Sequence, residues 1–595
     1  MAWLGQSAGG VTGQRARRAA LGLVLLATCG LALSVEVSSG SSAAGSAGLS
    51  VESAVESAAE SAAVAARFPD PEVHYATPAF EPGRVTFTSN AELRLLMQRL
   101  ARERQLAPRD SAAAAAGGGV HISLRWLGTS QTGVPLEALH FSRDAAASTP
   151  AGALGASGAL GASGEPGAPR RPTVLLVGQQ HGDEPAGAEA LIVIAQELAH
   201  GSLQALLERI DVAVLPRANP DGASAGRRFT ASGIDMNRDH LLLRTPEAQA
   251  LAQLARDYEP VVFVDAHEFS ALGRYVEKFG AVQRFDALLQ YAMTANLPEF
   301  VTRASEEWFH QPLQRSLRAQ NLSTEWYYTT SLDRTDLKVS MGGVQPDTGR
   351  NVHGLRNAVS LLIETRGAGL GRAHLLRRVH TQVTAITSVL NSAAEHAADL
   401  VKLRRFVDAD VAAQACQGEL IVEAAATRGE YDLLMLDPTT GADKRVAVAW
   451  DSALELRPVR QRARPCGYWL GAGEADAVRH LRALGVQVQR IDEVSLLRAE
   501  AYVETSRELG ARADVRGELA DAAGVLRIGV SLKPALVDGV AGSYYIGLDQ
   551  PLANLIAAAL EPDTQNSFLA HRIVTDLSAL ARVTRRPDAP MTPLP

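Results

Sequence analysis

Short, unbroken apolar runs alternating with helical patterns constrain this chain more than any other feature. Thr173 to Gly178, Asp211 to Leu215, Val261 to Val264 and Val359 to Ile363 are each too short to be buried helices. Between them, Gly187 to Leu198 and Pro246 to Tyr258 carry helical spacing. Strands without polar alternation must be covered on both faces, and such strands separated by helices build a largely parallel sheet. The expected fold class is therefore α/β: a mixed, largely parallel sheet with helices on both faces. Upstream, Val120 to Leu127 and Leu136 to Phe141 read as two short strands joined by a Gly-Thr-Ser-Gln-Thr-Gly turn, and Ala91 to Glu103 reads as a helix.

The first 35 residues read as an address. Arg15, Arg17 and Arg18 precede the apolar run Ala19 to Val35, the pattern of a secretory signal peptide. The run is close to membrane-spanning length, so an uncleaved anchor is the competing reading, and Cys29 offers a weak lipoprotein-like site. No second apolar run reaches 18 residues, so no stable membrane span is expected once the signal is removed. The mature protein is expected to be exported, to a periplasm or the medium. Residues 36–66 are Ser, Ala, Gly and Glu, with too little apolar bulk to order, and read as a tether. Residues 67–400 form the first expected globular domain, with a low-complexity insertion at 145–172. Beyond residue 400 the pattern changes to short, turn-punctuated strands and one clear helix, Glu474 to Leu484. Residues 401–595 are expected to form a second, α+β domain of unassigned role.

Composition excludes several partners and chemistries. With 58 Lys plus Arg against 65 Asp plus Glu, the net charge is −7, and nothing suggests the basic face that nucleic acid requires. Three cysteines cannot build a Cys-rich zinc site, so any metal must be held by His and carboxylates. Cys416 and Cys466 either pair in an oxidising compartment or are two buried thiols.

Polar groups stand where the buried strands should end. His181 and Glu184 follow the first run in His181-Gly182-Asp183-Glu184, His267 follows Val261 to Ala266, and Glu364 terminates Val359 to Ile363. Ligands of open α/β sheets bind outside the carboxyl ends of the strands, so these four groups converge on one edge. Two imidazoles and one carboxylate form a His₂Glu set that leaves a position open on zinc, and Glu364 would be the base. A lone His is ordinarily a satisfied core or surface group, and His74, His200, His310 and His396 are read that way. Between the ligands lie Asn219-Pro220-Asp221-Gly222, Arg227-Arg228 and Asp235-Met236-Asn237-Arg238. They suit either a carboxylate clamp with an oxyanion partner or a solvated loop.

Together these segments resemble the zinc carboxypeptidase family, the carboxypeptidase A-like metallopeptidases, over residues 85 to about 395. The resemblance implies one zinc ion per chain on His181, Glu184 and His267, with Glu364 as general base. It also implies that Asn237 and Arg238 hold the free carboxylate of a peptide or peptide-like substrate, and that Asp235 orients His181. Arg228, rather than its neighbour Arg227, matches the oxyanion arginine of some branches. The chain departs from the family in lacking a tyrosine between Tyr328 and Glu364. Tyr327, Tyr328 and His353 are the candidates to cap the substrate. Arg350 could select an acidic side chain and Asp347 a basic one. The leading expectation is a metallocarboxypeptidase. Its rivals are a zinc amidohydrolase acting on N-acyl amino acids or peptidoglycan stem peptides, and an inactive periplasmic binding or scaffold relative.

Overall fold

An eight-stranded mixed sheet carries the site. In chain order its strands are β1 (His121–Thr129), β2 (Pro135–Ser142), β3 (Thr173–Gly178), β4 (Asp211–Leu215), β5 (Val262–Ser270), β6 (Ala287–Tyr291), β7 (Thr324–Trp326) and β8 (Val359–Ala368). In space they run β1-β2-β4-β3-β5-β8-β6-β7, and the central four, β4, β3, β5 and β8, are parallel. This is a computed structural model describing residues 60–105, 119–143, 171–519 and 524–594. The signal segment, Cys29 and most of the 145–172 insertion lie outside the described residues.

The period-2 alternation of the strands assigns each helix a face. Val174, Leu176, Val212, Val214, Val262 and Val264 point to one side, against Leu191 and Ile194 of helix α1 (Pro185–His200) and Ile386 and Val389 of helix α3 (Leu375–Glu395). Leu175, Val177, Ala213, Leu215 and Phe263 point to the other, against Leu251 and Leu254 of helix α2 (Pro246–Tyr258). The start of α2 is fixed by Thr245, whose hydroxyl accepts from the Ala248 N–H, and by Pro246 in its first turn, where no N–H donor is needed. Among the described residues no single helix is long and apolar enough to cross a membrane.

Three expectations change. First, β5 and β8 continue past their apolar runs, so His267 and Glu364 stand inside strands rather than after them. The polar side chains end the sequence pattern, but the backbone ladder pairs Glu364 with His267 and continues to Ala368. Second, the presumed tether is ordered from Glu60 onward. Ser61 caps a short helix, Ala62–Ala65, Val64 is buried, and Glu60 pairs with Arg366 and His374, each at 2.8 Å. A composition poor in apolar bulk gave no sign of these long-range ion pairs.

Third, the strands beyond residue 400 are long. Glu419–Leu436 pairs with Asp443–Ala463, and Ser495–Gly510 with Val525–Gly539, as antiparallel ribbons. Much of each ribbon is solvent-exposed, so it has no continuous apolar stripe to read. The first ribbon joins a five-stranded sheet with Val282–Gln283, Thr329–Thr330 and Val339–Ser340. Across residue 400 the packing is continuous: helix Ala397–Ala413 spans it, and one hydrophobic core runs from Leu93 to Leu580. Cys416 and Cys466 form a disulfide, 2.05 Å between sulfurs, tying this helix to the strand Gly467–Leu470.

Candidate metal centre and active site

The turn between β3 and α1 and the adjacent strand β5 bring three donors together. His181 Nδ1 lies 2.7 Å from Glu184 Oε1, His267 Nδ1 lies 2.8 Å from Glu184 Oε2, and the two Nδ1 atoms are 3.1 Å apart. All three donor groups lie within 4.8 Å of one another and are buried. The opposite nitrogens face carboxylates: His181 Nε2 is 3.1 Å from Asp235 Oδ1, and His267 Nε2 is 2.8 Å from Asp265 Oδ1. Donating Nε2–H outward fixes the tautomer and turns both Nδ1 lone pairs inward, as ligation requires. The donor set therefore fits a zinc ion. Glu184 is held further by the Glu268 backbone N–H, which donates to Oε2 at 3.0 Å.

Charge balance follows from burial. Desolvation alone would raise Glu184, but the imidazoles of His181 and His267 outweigh it and hold the carboxyl well below its ordinary range. Asp235 behaves alike, with Arg228 and His181 overcoming its burial. The ligand turn has no slack. A Cβ on Gly182 would sit 1.9 Å from the backbone carbon of Gly222, so glycine is required there. Asn219-Pro220-Asp221-Gly222 acts here as a wall: Asn219 Oδ1 accepts from the Gly222 N–H, and Asp221 accepts from Ser130 and Thr132 of the β1–β2 turn.

Arg228 reaches the centre, whereas Arg227 is exposed. The Arg228 Nη1 is 3.4 Å from Glu184 Oε1, while its Nε and Nη2 donate to Asp235 Oδ2 at 3.1 and 2.9 Å. Glu364 lies abreast of His267 on the neighbouring strand. Burial pushes its carboxyl up to about 7; His267 pulls it down and Glu184 pushes it up.

Of the tyrosine candidates, Tyr327 lies under Arg350, whose guanidinium carbon is 5.8 Å from the ring centroid. Its phenol is raised by burial and by the charge of Glu364, and Arg516, Arg350 and Arg238 act on it in the opposite sense. Tyr328 faces the other way, against Tyr275 and Trp450, and His353 is stacked on Phe263 at 3.7 Å between centroids.

The expected carboxylate clamp is rearranged. Asn237 does not share the position of Arg238. Its Oδ1 accepts from the Gly349 N–H at 2.7 Å, and its Nδ2 lies 3.0 Å from His267 Nε2. Met236–Arg238 is a 3₁₀ turn, so adjacent side chains diverge, and the amide turns inward. Arg238 instead meets Asp514, which accepts from its Nε and Nη2 at 3.1 and 2.5 Å. Asp347 is held by Arg512 at 2.9 Å. Arg350, by contrast, donates to the Gly343 carbonyl, and its buried Nε has no hydrogen-bond partner among the described residues.

Residues 121–276 match the family described as zinc carboxypeptidase. Carboxypeptidase 2 of Trichophyton rubrum is 28% identical over 413 residues, covering 68% of this chain and 74% of that protein. The chain therefore carries a zinc carboxypeptidase domain over residues 121–276. Human carboxypeptidase D is 34% identical over 195 residues, covering 27% of this chain and 14% of that protein. Carboxypeptidase A from Helicoverpa armigera aligns with a TM-score of 0.35 at 14% identity, covering 52% of this chain and 75% of that one.

Two residues of this site escaped the sequence reading. Asp514 is 276 residues from Arg238, beyond any local pattern. Asp265 was legible, because Asp265-Ala266-His267 places its two polar side chains on one strand face. Replacing Asp265 by Asn should weaken zinc binding about 10- to 100-fold, because the acceptor that orients His267 loses its charge and becomes a weaker amide oxygen. Competition with a chromogenic chelator measures this, and affinity equal to that of the parent protein would remove Asp265 from the role.

Proposed function

We propose that the enzyme removes C-terminal residues from peptides, with Glu364 as the proton carrier, Arg228 at the oxyanion and Arg238 at the terminal carboxylate. The observation that carries this reading is the strand register that sets Glu364 beside His267. Zinc held by His181, Glu184 and His267 would supply a Lewis acid that polarises the scissile carbonyl and acidifies water. Glu364, buried and raised toward neutrality, takes a proton from the attacking water and passes it to the departing amine. The Arg228 guanidinium, fixed on Asp235, presents Nη1 to the charge that develops on the carbonyl oxygen. Tyr327, beside Arg350 and within reach of the charge of Glu364, would cap the substrate.

Arg350 and Asp347 differ in what they have left to offer. Asp347 is neutralised by Arg512, whereas Arg350 is a buried cation with an unpaired donor. That difference supports a preference for acidic C-terminal residues. Digestion of a peptide library, read by mass spectrometry, tests both parts of the proposal. Loss of single C-terminal residues, Glu and Asp fastest, is expected, and amidation of the terminus should abolish cleavage. Retained cleavage of amidated peptides would favour the amidohydrolase reading.

Export is also part of the proposal. The Arg15 to Val35 pattern and the Cys416–Cys466 disulfide support it, since such bonds persist in oxidising compartments. Recovery of the native protein, with an intact N-terminus, in the cytoplasmic fraction would refute it.

A further inference from the structure

Arg238 is bonded to Asp514 along its Nε edge and to one backbone carbonyl. A guanidinium has five N–H donors. Asp514 Oδ2 accepts from Nε at 3.1 Å and Nη2 at 2.5 Å, and the Asn237 carbonyl accepts from Nη1 at 2.7 Å. Each terminal nitrogen therefore keeps one N–H for a further acceptor, and the Nη1/Nη2 side is the one that matches a carboxylate end-on.

Asp514 is itself fixed. It sits in a hairpin whose strands are Ala513–Asp514 and Gly517–Glu518, and its Oδ1 accepts from the Arg516 N–H at 2.7 Å. Gln565 brackets Ala513, accepting from its N–H at 3.1 Å and donating to its carbonyl at 2.7 Å. Arg512 Nη2 donates to the Arg238 carbonyl and to Asp347, each at 2.9 Å, and Arg512 Nε donates to Asn566. The hairpin thus grips the loop that carries Arg238 by both backbone and side chain. The Asp514 side chain is only 3% exposed and that of Arg238 12%, so the pair is shielded from solvent while the arginine keeps some open surface.

We propose that Asp514 is the positioning residue for substrate recognition: by holding the Nε edge of Arg238 it aims the outer Nη1/Nη2 fork at the terminal carboxylate of the peptide. The site is then completed from beyond residue 400, and the C-terminal part of the chain has a role in catalysis. This rests on the reading of Arg238 as the carboxylate receptor.

The opposite role makes the opposite prediction. If Asp514 instead competes with the substrate for Arg238, removing its charge would strengthen binding. The test uses the full chain with bound zinc and a matched pair of N-blocked dipeptides, one a free acid and one an amide. Preference of the parent enzyme for the acid checks the carboxypeptidase reading by itself. In Asp514→Asn and Asp514→Ala, KM for the free acid should rise about tenfold or more while kcat and zinc content hold, because a correctly aimed charge-assisted pair is lost. Asp514→Glu should recover part of the loss. The isosteric Asn variant guards against misfolding of the Ala variant. An unchanged or lowered KM in either variant, in an enzyme that still prefers the acid, would overturn the proposal.

Discussion

Replacing Glu364 by Gln should leave zinc bound and lower kcat about a thousandfold, within the range typical for loss of a general base. The amide has the shape of the carboxyl group but cannot accept the proton of the attacking water. Because burial destabilises the ionised carboxylate, the variant should unfold at the same temperature as the parent or a higher one. Steady-state kinetics, zinc analysis and a thermal melt on the same preparation check all three statements. Turnover within tenfold of the parent enzyme would assign the base elsewhere.

Removal of the metal should have an equally large effect. His181, Glu184 and His267 bring their donors to 2.7–3.1 Å of one another, an arrangement that a cation stabilises. Dialysis against a strong chelator should abolish hydrolysis of a free-acid dipeptide. The thermal midpoint should also fall by several degrees, because a ligand bound only by the folded state contributes to its stability. Adding back zinc should restore both. Full activity in a preparation shown by elemental analysis to lack metal would refute the hydrolytic centre.

The chain's own pattern revealed those parts of the site that depend on local chemistry. Thr173–Gly178 and Asp211–Leu215 are legible because strands buried on both faces are apolar beyond their first residue, and the end of the first directs His181 and Glu184 to the sheet edge. The i, i+3 spacing of His181 and Glu184 and the ordered blocks around Asp235 point to the same place. Legibility fails where a side chain answers to distant partners. Asn237 and Arg238 are adjacent, yet the turn between them sends one to His267 and the other to Asp514. Tyr327 and Tyr328 are equivalent on paper, and packing alone separates them. The ribbons beyond residue 400 are invisible as long strands because solvent covers much of their surface.

The meeting of Gly182 with Gly222 has an evolutionary consequence. Two backbone segments 40 positions apart leave no volume for even a methyl group between them. Drift at Gly182 is therefore closed off whatever the enzyme cleaves, and a Cβ on Gly222 would itself meet the carbonyls of Arg227 and Phe229, so the wall beside His181 tolerates no side chain at either glycine.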